Sequence, residues 1–236
     1  MSNIFFPNKV NENLYIATLS KGKELKSSLI SLEYRKSLEE QFFKDINIDI
    51  NKAIFMNQVH KDNVVKIDNT NSNFYNKNNP VPETDSIITN LKNTPLVVQT
   101  ADCLPIVLYC ETTKSIGVLH SGWKGTIANI TAKTILKMKE EYSIDTSKMY
   151  AYIGAHIFKE NYEVGEEVAC HFRSKEFING SWYVDNANEA KLQMLDMGLK
   201  EENIEVSSLN SFDEEFYSYR RDGKQIGRIL TLAILK

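Results

Sequence analysis

The spacing of apolar and polar positions divides the chain into short strand-like runs alternating with amphipathic helical ones. NIFF (3–6) and NLYIATL (13–19) open it as strands, and YRKSLEEQFFKD (34–45) follows with the apolar and charged faces of a helix. AIFM (53–56) predicts a strand leading into NQVHKDNVVKI, whose histidine is expected at the strand's end. NTNSNFYNKNNPVP (69–82), dense in Asn, Ser and Pro, predicts a loop, the longest irregular stretch of the chain. DSIIT, TPLVVQTAD, LPIVLYC and SIGVLHSG then follow closely, each short, β-branched and bounded by turn residues, as buried strands are.

Apolar residues at helical spacing in TIANITAKTILKMKEEY predict a helix over 126–142, with Gly125 and Thr126 placed to start it. MYAYIGA (149–155), a helix near 165–175, SWYV, a helix near 187–198, ENIEVS and IGRILTLAIL complete a mixed α/β set. With no internal repeat or inter-domain linker, 236 residues fit a single domain spanning 1–236.

Composition narrows the function. The chain is 42% hydrophobic and 25% charged, ordinary for a globular protein. A net charge of -3 supplies no field to gather polyanions, so nucleic acid is not expected as a partner. The N-terminus has neither the basic start nor the apolar run of a secretory signal, and runs such as PLVV and PIVLYC fall far short of the ~18 residues of a membrane span. Three cysteines without a CxxC pair argue against a disulfide framework, and a cytoplasmic protein is expected.

Of the four histidines, at 60, 120, 156 and 171, two share a setting: His60 ends FMNQVH and His120 ends IGVLH. Cys103 is placed alike, after PLVVQTAD and before a proline-containing strand. Three such ligands at strand mouths can converge on one metal ion, and without a convincing fourth ligand the site is open, as catalytic zinc sites are. The same residues also fit a core cysteine with two hydrogen-bonded histidines, and spacing alone does not choose.

The ordered series NQVHKDNVV, ETDSIITNLKNTPLVVQTADCLPIVLY, GVLHSGWKGT, YIGAHIFKENYEVGEEV and YSYRRDGKQIGR resembles the bacterial laccase-domain proteins, long labelled multicopper polyphenol oxidases. The resemblance runs from about residue 50 to the C-terminus. It implies an α-β-β-α sandwich of mixed sheets, with Zn²⁺ on His60, Cys103 and His120. It also implies phosphorolysis of purine nucleosides (adenosine, inosine and methylthioadenosine), with adenosine deamination as a side activity. The chain departs from the usual pattern at Asn57, Lys61, Ala155-His156 and Leu209-Asn210, and only His156 bears on the metal, as an extra residue able to line the pocket. Four histidines cannot supply the roughly ten of a multicopper laccase, although a single copper in the His₂Cys site stays open.

An open zinc acidifies water to near neutrality, which accounts for deamination. Phosphorolysis needs phosphate held beside the anomeric carbon. HSGWKGT, entering a helix with Lys124, is a candidate anion binder but misses the P-loop pattern. Arg220, Arg221 and Arg228 offer guanidinium forks, of which the resemblance favours Arg221 and Arg228. Asp102 is a candidate partner of a ligand histidine or a proton shuttle, Gln58 a candidate purine contact, and Trp123 and Tyr162 candidate stacking platforms. Two rival readings remain: a cysteine hydrolase with Cys103 activated by His120, and a metal-stabilised factor in cell-wall assembly without turnover. Monomer and homodimer are both compatible with the sequence.

Overall fold

The computed structural model describes residues 4–9, 12–21, 31–223 and 227–236, so Asn3 of the first predicted strand and 224–226 of the arginine motif lie outside the described residues. In chain order come β1 (Ile4–Phe5), β2 (Leu14–Leu19), α1 (Leu32–Asp45), β3 (Ile54–Phe55), β4 (Val64–Lys66), β5 (Ser86–Thr89) and β6 (Leu96–Thr100). These are followed by β7 (Leu104–Cys110), β8 (Ser115–Ser121), α2 (Trp123–Ile127), α3 (Ile130–Tyr142), β9 (Met149–Ile153), β10 (Glu163–Val164) and α4 (Glu166–Ala169). The chain closes with β11 (Lys175–Ile178), β12 (Ser181–Val184), α5 (Asn186–Asp196), β13 (Ile204–Val206), α6 (Tyr219–Asp222) and β14 (Ile229–Leu235).

Side-chain alternation along the central strands decides the layering. In β7, Leu104, Ile106, Leu108 and Cys110 pack beneath α3 and α5, whereas Val107 and Tyr109 face a second sheet. In β14, Ala233 and Leu235 meet them across that interface, while Leu230, Leu232 and Ile234 pack on Phe42 and Phe43 of α1. The order is therefore α1, a five-stranded sheet (β1-β2-β14-β6-β3), a six-stranded sheet (β13-β9-β7-β8-β5-β4), and α3 with α5. Both sheets are mixed, with parallel pairs at β3–β6, β4–β5 and β13–β9. This single compact domain is the expected α-β-β-α sandwich. A three-stranded sheet, β10-β12-β11, stands apart from the other two.

The loop at 69–82 contains no helix and only the isolated bridge of Val81 to Met56, and it is braced by its own short polar side chains. Asp68 accepts from the Thr70 amide, and Asn76 from the amides of Asn78 and Asn79.

Three local expectations are corrected. The helix expected over 126–142 starts earlier, with Gly122 as the N-cap of α2, and breaks at Asn129, whose left-handed φ of 60° cannot continue a right-handed helix. The helix expected near 165–175 ends at Ala169, and Lys175–Ile178 instead forms strand β11, held by register with β12 although its own side chains are exposed. His60 is not at a strand end: β3 stops at Phe55 and His60 lies in the loop beyond it. No helix among the described residues is long and apolar enough to cross a membrane.

Candidate metal centre and substrate cavity

The β5–β8 register, Ser86 opposite Leu119, places Asp85 beside His120 near the end of β8. Asp85 is fully buried, and its carboxylate accepts from His120 Nδ1 at 2.8 Å. It also accepts from three consecutive amides, those of Val59, His60 and Lys61, at 3.0–3.1 Å. Successive amides wrapped on one anion form a nest, which requires a left-handed residue. His60 supplies it, at φ 59°. One carboxylate thus orients both histidines, one through its ring and the other through its backbone. Cys103 enters from the turn between β6 and β7, directly after Asp102, which is itself left-handed at φ 87°. Such strained backbone outside glycine concentrates at functional sites.

The ligand-type atoms of His60, Cys103 and His120 all lie within 4.8 Å of one another. The two imidazoles meet edge to face, centroids 4.6 Å apart. Because His120 Nδ1 is held by Asp85, Nε2 is the nitrogen left for Cys103 or an ion. Burial would raise the Cys103 thiol, but His120 charge and hydrogen bonds from both histidines outweigh it and bring the pKa down to about 6. Burial would lower His120, yet the Cys103 thiolate and the Asp85 hydrogen bond raise it to about 9. The donor set fits a borderline-soft divalent ion: two imidazoles, a thiol poised to ionise, and a carboxylate behind one imidazole. Gly122 provides the room, since a Cβ there would lie 2.8 Å from Cys103 Sγ and 3.3 Å from the His60 ring.

The triad forms one wall of a cavity of about 590 Å³, a size typical of small-molecule sites. Trp123 and Tyr162, both expected as stacking platforms, line it, as do Tyr219 and Met56. Gln58 and Arg228 line it too, whereas Lys124 and Arg221 do not. Gln58 is committed to the sheet: its amide donates to Gln99 O at 2.8 Å and accepts from Gln99 N at 2.9 Å, extending the β6 edge where a purine contact was expected. The Lys124 ammonium lies over the Trp123 ring, 5.4 Å from its centroid. Arg221 is bound to the carbonyls of Phe212, Asp213 and Phe216 and to Asp222, so it fastens the C-terminal loop. Arg220 takes the cavity position instead, with its guanidinium carbon 5.5 Å from the Tyr162 centroid and Nη1 donating to Glu163 O.

Asp102 lines the cavity but touches neither histidine; its carboxylate accepts from Ser211 Oγ and the Arg220 amide. The role expected of it as partner of a ligand histidine falls to Asp85, which spacing did not single out. The only signal for Asp85 was an acidic residue, in ETDSIIT, directly before an apolar strand. His156 is apart from the metal group, buried, with its ring bound through Nδ1 to Gly154 O.

Fold and site together define a four-layer α/β protein with an open His₂Cys group, able to hold a metal ion, on the wall of a small-molecule cavity. A sequence model described as "Multi-copper polyphenol oxidoreductase laccase" matches residues 35–236, and the chain belongs to this family. Curated relatives include a purine nucleoside phosphorylase of Clostridium acetobutylicum, 34% identical over 194 residues, covering 77% of this chain and 76% of the relative. Another, of Campylobacter jejuni, is 34% identical over 192 residues, covering 80% and 79%. The fold matches the crystal structure of YlmD from Geobacillus stearothermophilus with a TM-score of 0.84 at 20% identity, each chain covered fully. It also matches YfiH of Bacillus licheniformis, with a TM-score of 0.82 at 22% identity over 94% and 93% of the two chains.

Proposed function

We propose that the chain, residues 1–236 as one domain, is a cytoplasmic zinc-dependent purine nucleoside phosphorylase. Its substrates are adenosine, inosine and methylthioadenosine with phosphate, and adenosine deamination is a side activity. The observation that carries the reading is the convergence of His60, Cys103 and His120 within 4.8 Å on the wall of a cavity sized for one nucleoside. The names borne by the relatives support the substrate class.

His60, Cys103 and His120 would hold the zinc, which would supply a Lewis acid able to polarise a purine substituent or activate water for deamination. The chain's own residues do the rest. Phosphorolysis forms a bond from a phosphate oxygen to the anomeric carbon, breaks the carbon's bond to the purine nitrogen and leaves the electron pair on the base, which takes up a proton. Arg220 and Arg228 are the cationic groups in the cavity wall and hold the phosphate. Trp123 and Tyr162 flank the triad and stack on the base. Asp85 keeps His120 in the tautomer that offers Nε2.

Two histidines at the centre, and four in the chain, argue against a multicopper site whatever the family's description. Incubating the zinc-loaded protein with inosine tests the proposal. Hypoxanthine and ribose 1-phosphate appear only when phosphate is present; release without phosphate, or none at all, overturns it.

A second reading has one observation in its favour, the Cys103–His120 pairing that lowers the thiol to about 6, as in cysteine hydrolases. Alkylation separates the two. A metal-bound thiolate resists iodoacetamide until chelator is added, while a free nucleophile reacts at once.

A further inference from the structure

We infer that Asp102 is a positioning residue, a latch that ties the turn bearing Cys103 to the helix bearing Tyr219 and Arg220. The inference concerns the cavity described above and rests on that functional reading for its kinetic consequences only. Three segments meet on Asp102. One carboxylate oxygen accepts from Ser211 Oγ at 2.7 Å, and the other accepts from the Arg220 amide at 2.7 Å. The Asp102 carbonyl accepts from the Ile157 amide at 3.0 Å. The residue is 8% exposed, and both of its oxygens are directed at fixed donors.

The Arg220 amide belongs to the first turn of α6, whose other end of the cap is the buried Ser218, accepting from the Arg221 amide at 3.2 Å. A helix of four residues does not hold its place by its own hydrogen bonds. Asp102 and Ser218 between them fix its start, and that start sets where Tyr219 and the Arg220 guanidinium stand in the cavity wall. Cys103 is the next residue after Asp102. The left-handed backbone at Asp102 therefore serves two ends at once: it turns Cys103 toward the histidines while its side chain reaches across to α6. With a protein donor already on each carboxylate oxygen, Asp102 is held to a fixed position, and a positioning role is told apart from that of a proton shuttle by the two substitutions below.

Two substitutions decide the matter. Asp102→Gly keeps the positive φ without strain and removes the latch. Asp102→Asn tolerates the same backbone and keeps both bonds, since its oxygen accepts from the Arg220 amide and its NH₂ donates to Ser211 Oγ. Hydrogen exchange read on residues 219–223 is expected to quicken in the Gly variant and match wild type in the Asn variant, with zinc at one per chain in both. Kinetically, the Gly variant raises KM by about tenfold or more, while the Asn variant stays within about threefold of wild type in kcat and KM. Unchanged exchange in the Gly variant overturns the latch. So does a loss of kcat in the Asn variant together with the acid limb of its pH profile, because that variant keeps both bonds and lacks only a group that can take up a proton. If no variant, wild type included, shows phosphorolysis, the functional reading fails, and the exchange data still judge the latch by themselves.

Discussion

Asp85 is the residue on which the candidate metal centre turns, although it is not one of the three ligand-type residues. It neutralises three amides of the His60 loop and binds the His120 ring from complete burial. Burial would raise its carboxyl, but these hydrogen bonds hold it below the ordinary range. Replacing it by Asn inverts one donor–acceptor pairing in the nest and weakens the hold on His120. Asp85→Asn is expected to lower zinc affinity about 10–100-fold, as removal of such supporting carboxylates does, measured by competition with a chromogenic chelator. Unchanged affinity would deny Asp85 this role.

The Cys103–His120 pair also sets a pH dependence in the metal-free protein. A thiol held down to about 6 contributes stability that is complete above its unfolded pKa and is lost as pH falls through about 6. A histidine raised to about 9 contributes stability that is complete below its unfolded pKa and is lost as pH rises through about 9. The melting temperature of chelated protein should therefore show a broad maximum between those values. In Cys103→Ala both flanks should flatten, and equally steep flanks in that variant would contradict the pairing.

At the scale of elements, the break between α2 and α3 shows how the segment after His120 is kept short and turned. Asn129 at φ 60° stops α2, and α5 clamps the result: Asn186 Nδ2 donates to Ser121 O and Gln193 Nε2 to Thr126 O. Asn tolerates the left-handed region, Gly is free in it, and Ala pays about 1–2 kcal/mol. Asn129→Ala is expected to destabilise the fold by about 1 kcal/mol and Asn129→Gly by much less, checked by denaturant melts. Equal losses would place the origin of the break elsewhere.

For the molecule as a whole, the strands that build the core were legible because β5 to β8 carry continuous apolar runs punctuated by turn residues, and burial on both faces matches that pattern. What the local pattern did not reveal was set by distant partners. Strand β11 is exposed on every residue and exists through its pairing with β12, and the α2–α3 break depends on one residue's backbone sign. The three ligand-type residues were visible in the sequence as candidates, with the resemblance to the family adding the rest. Asp85 was not visible, because its function is to accept amides 24 to 26 residues away and a ring 35 residues away. Arg220 and Arg221 are neighbours, and only the folded loop assigns one to the cavity and the other to the carbonyls of Phe212, Asp213 and Phe216.

Two imidazoles and one thiolate sharing a single zinc ion with a position to spare would leave a definite absorption signature. Zinc K-edge absorption on the purified, zinc-loaded protein reads that signature. One sulfur at about 2.3 Å and two nitrogens at about 2.0–2.1 Å are expected with one further light-atom ligand, the sulfur lost in Cys103→Ala. A spectrum without sulfur, or with more than one, would contradict the shared zinc site.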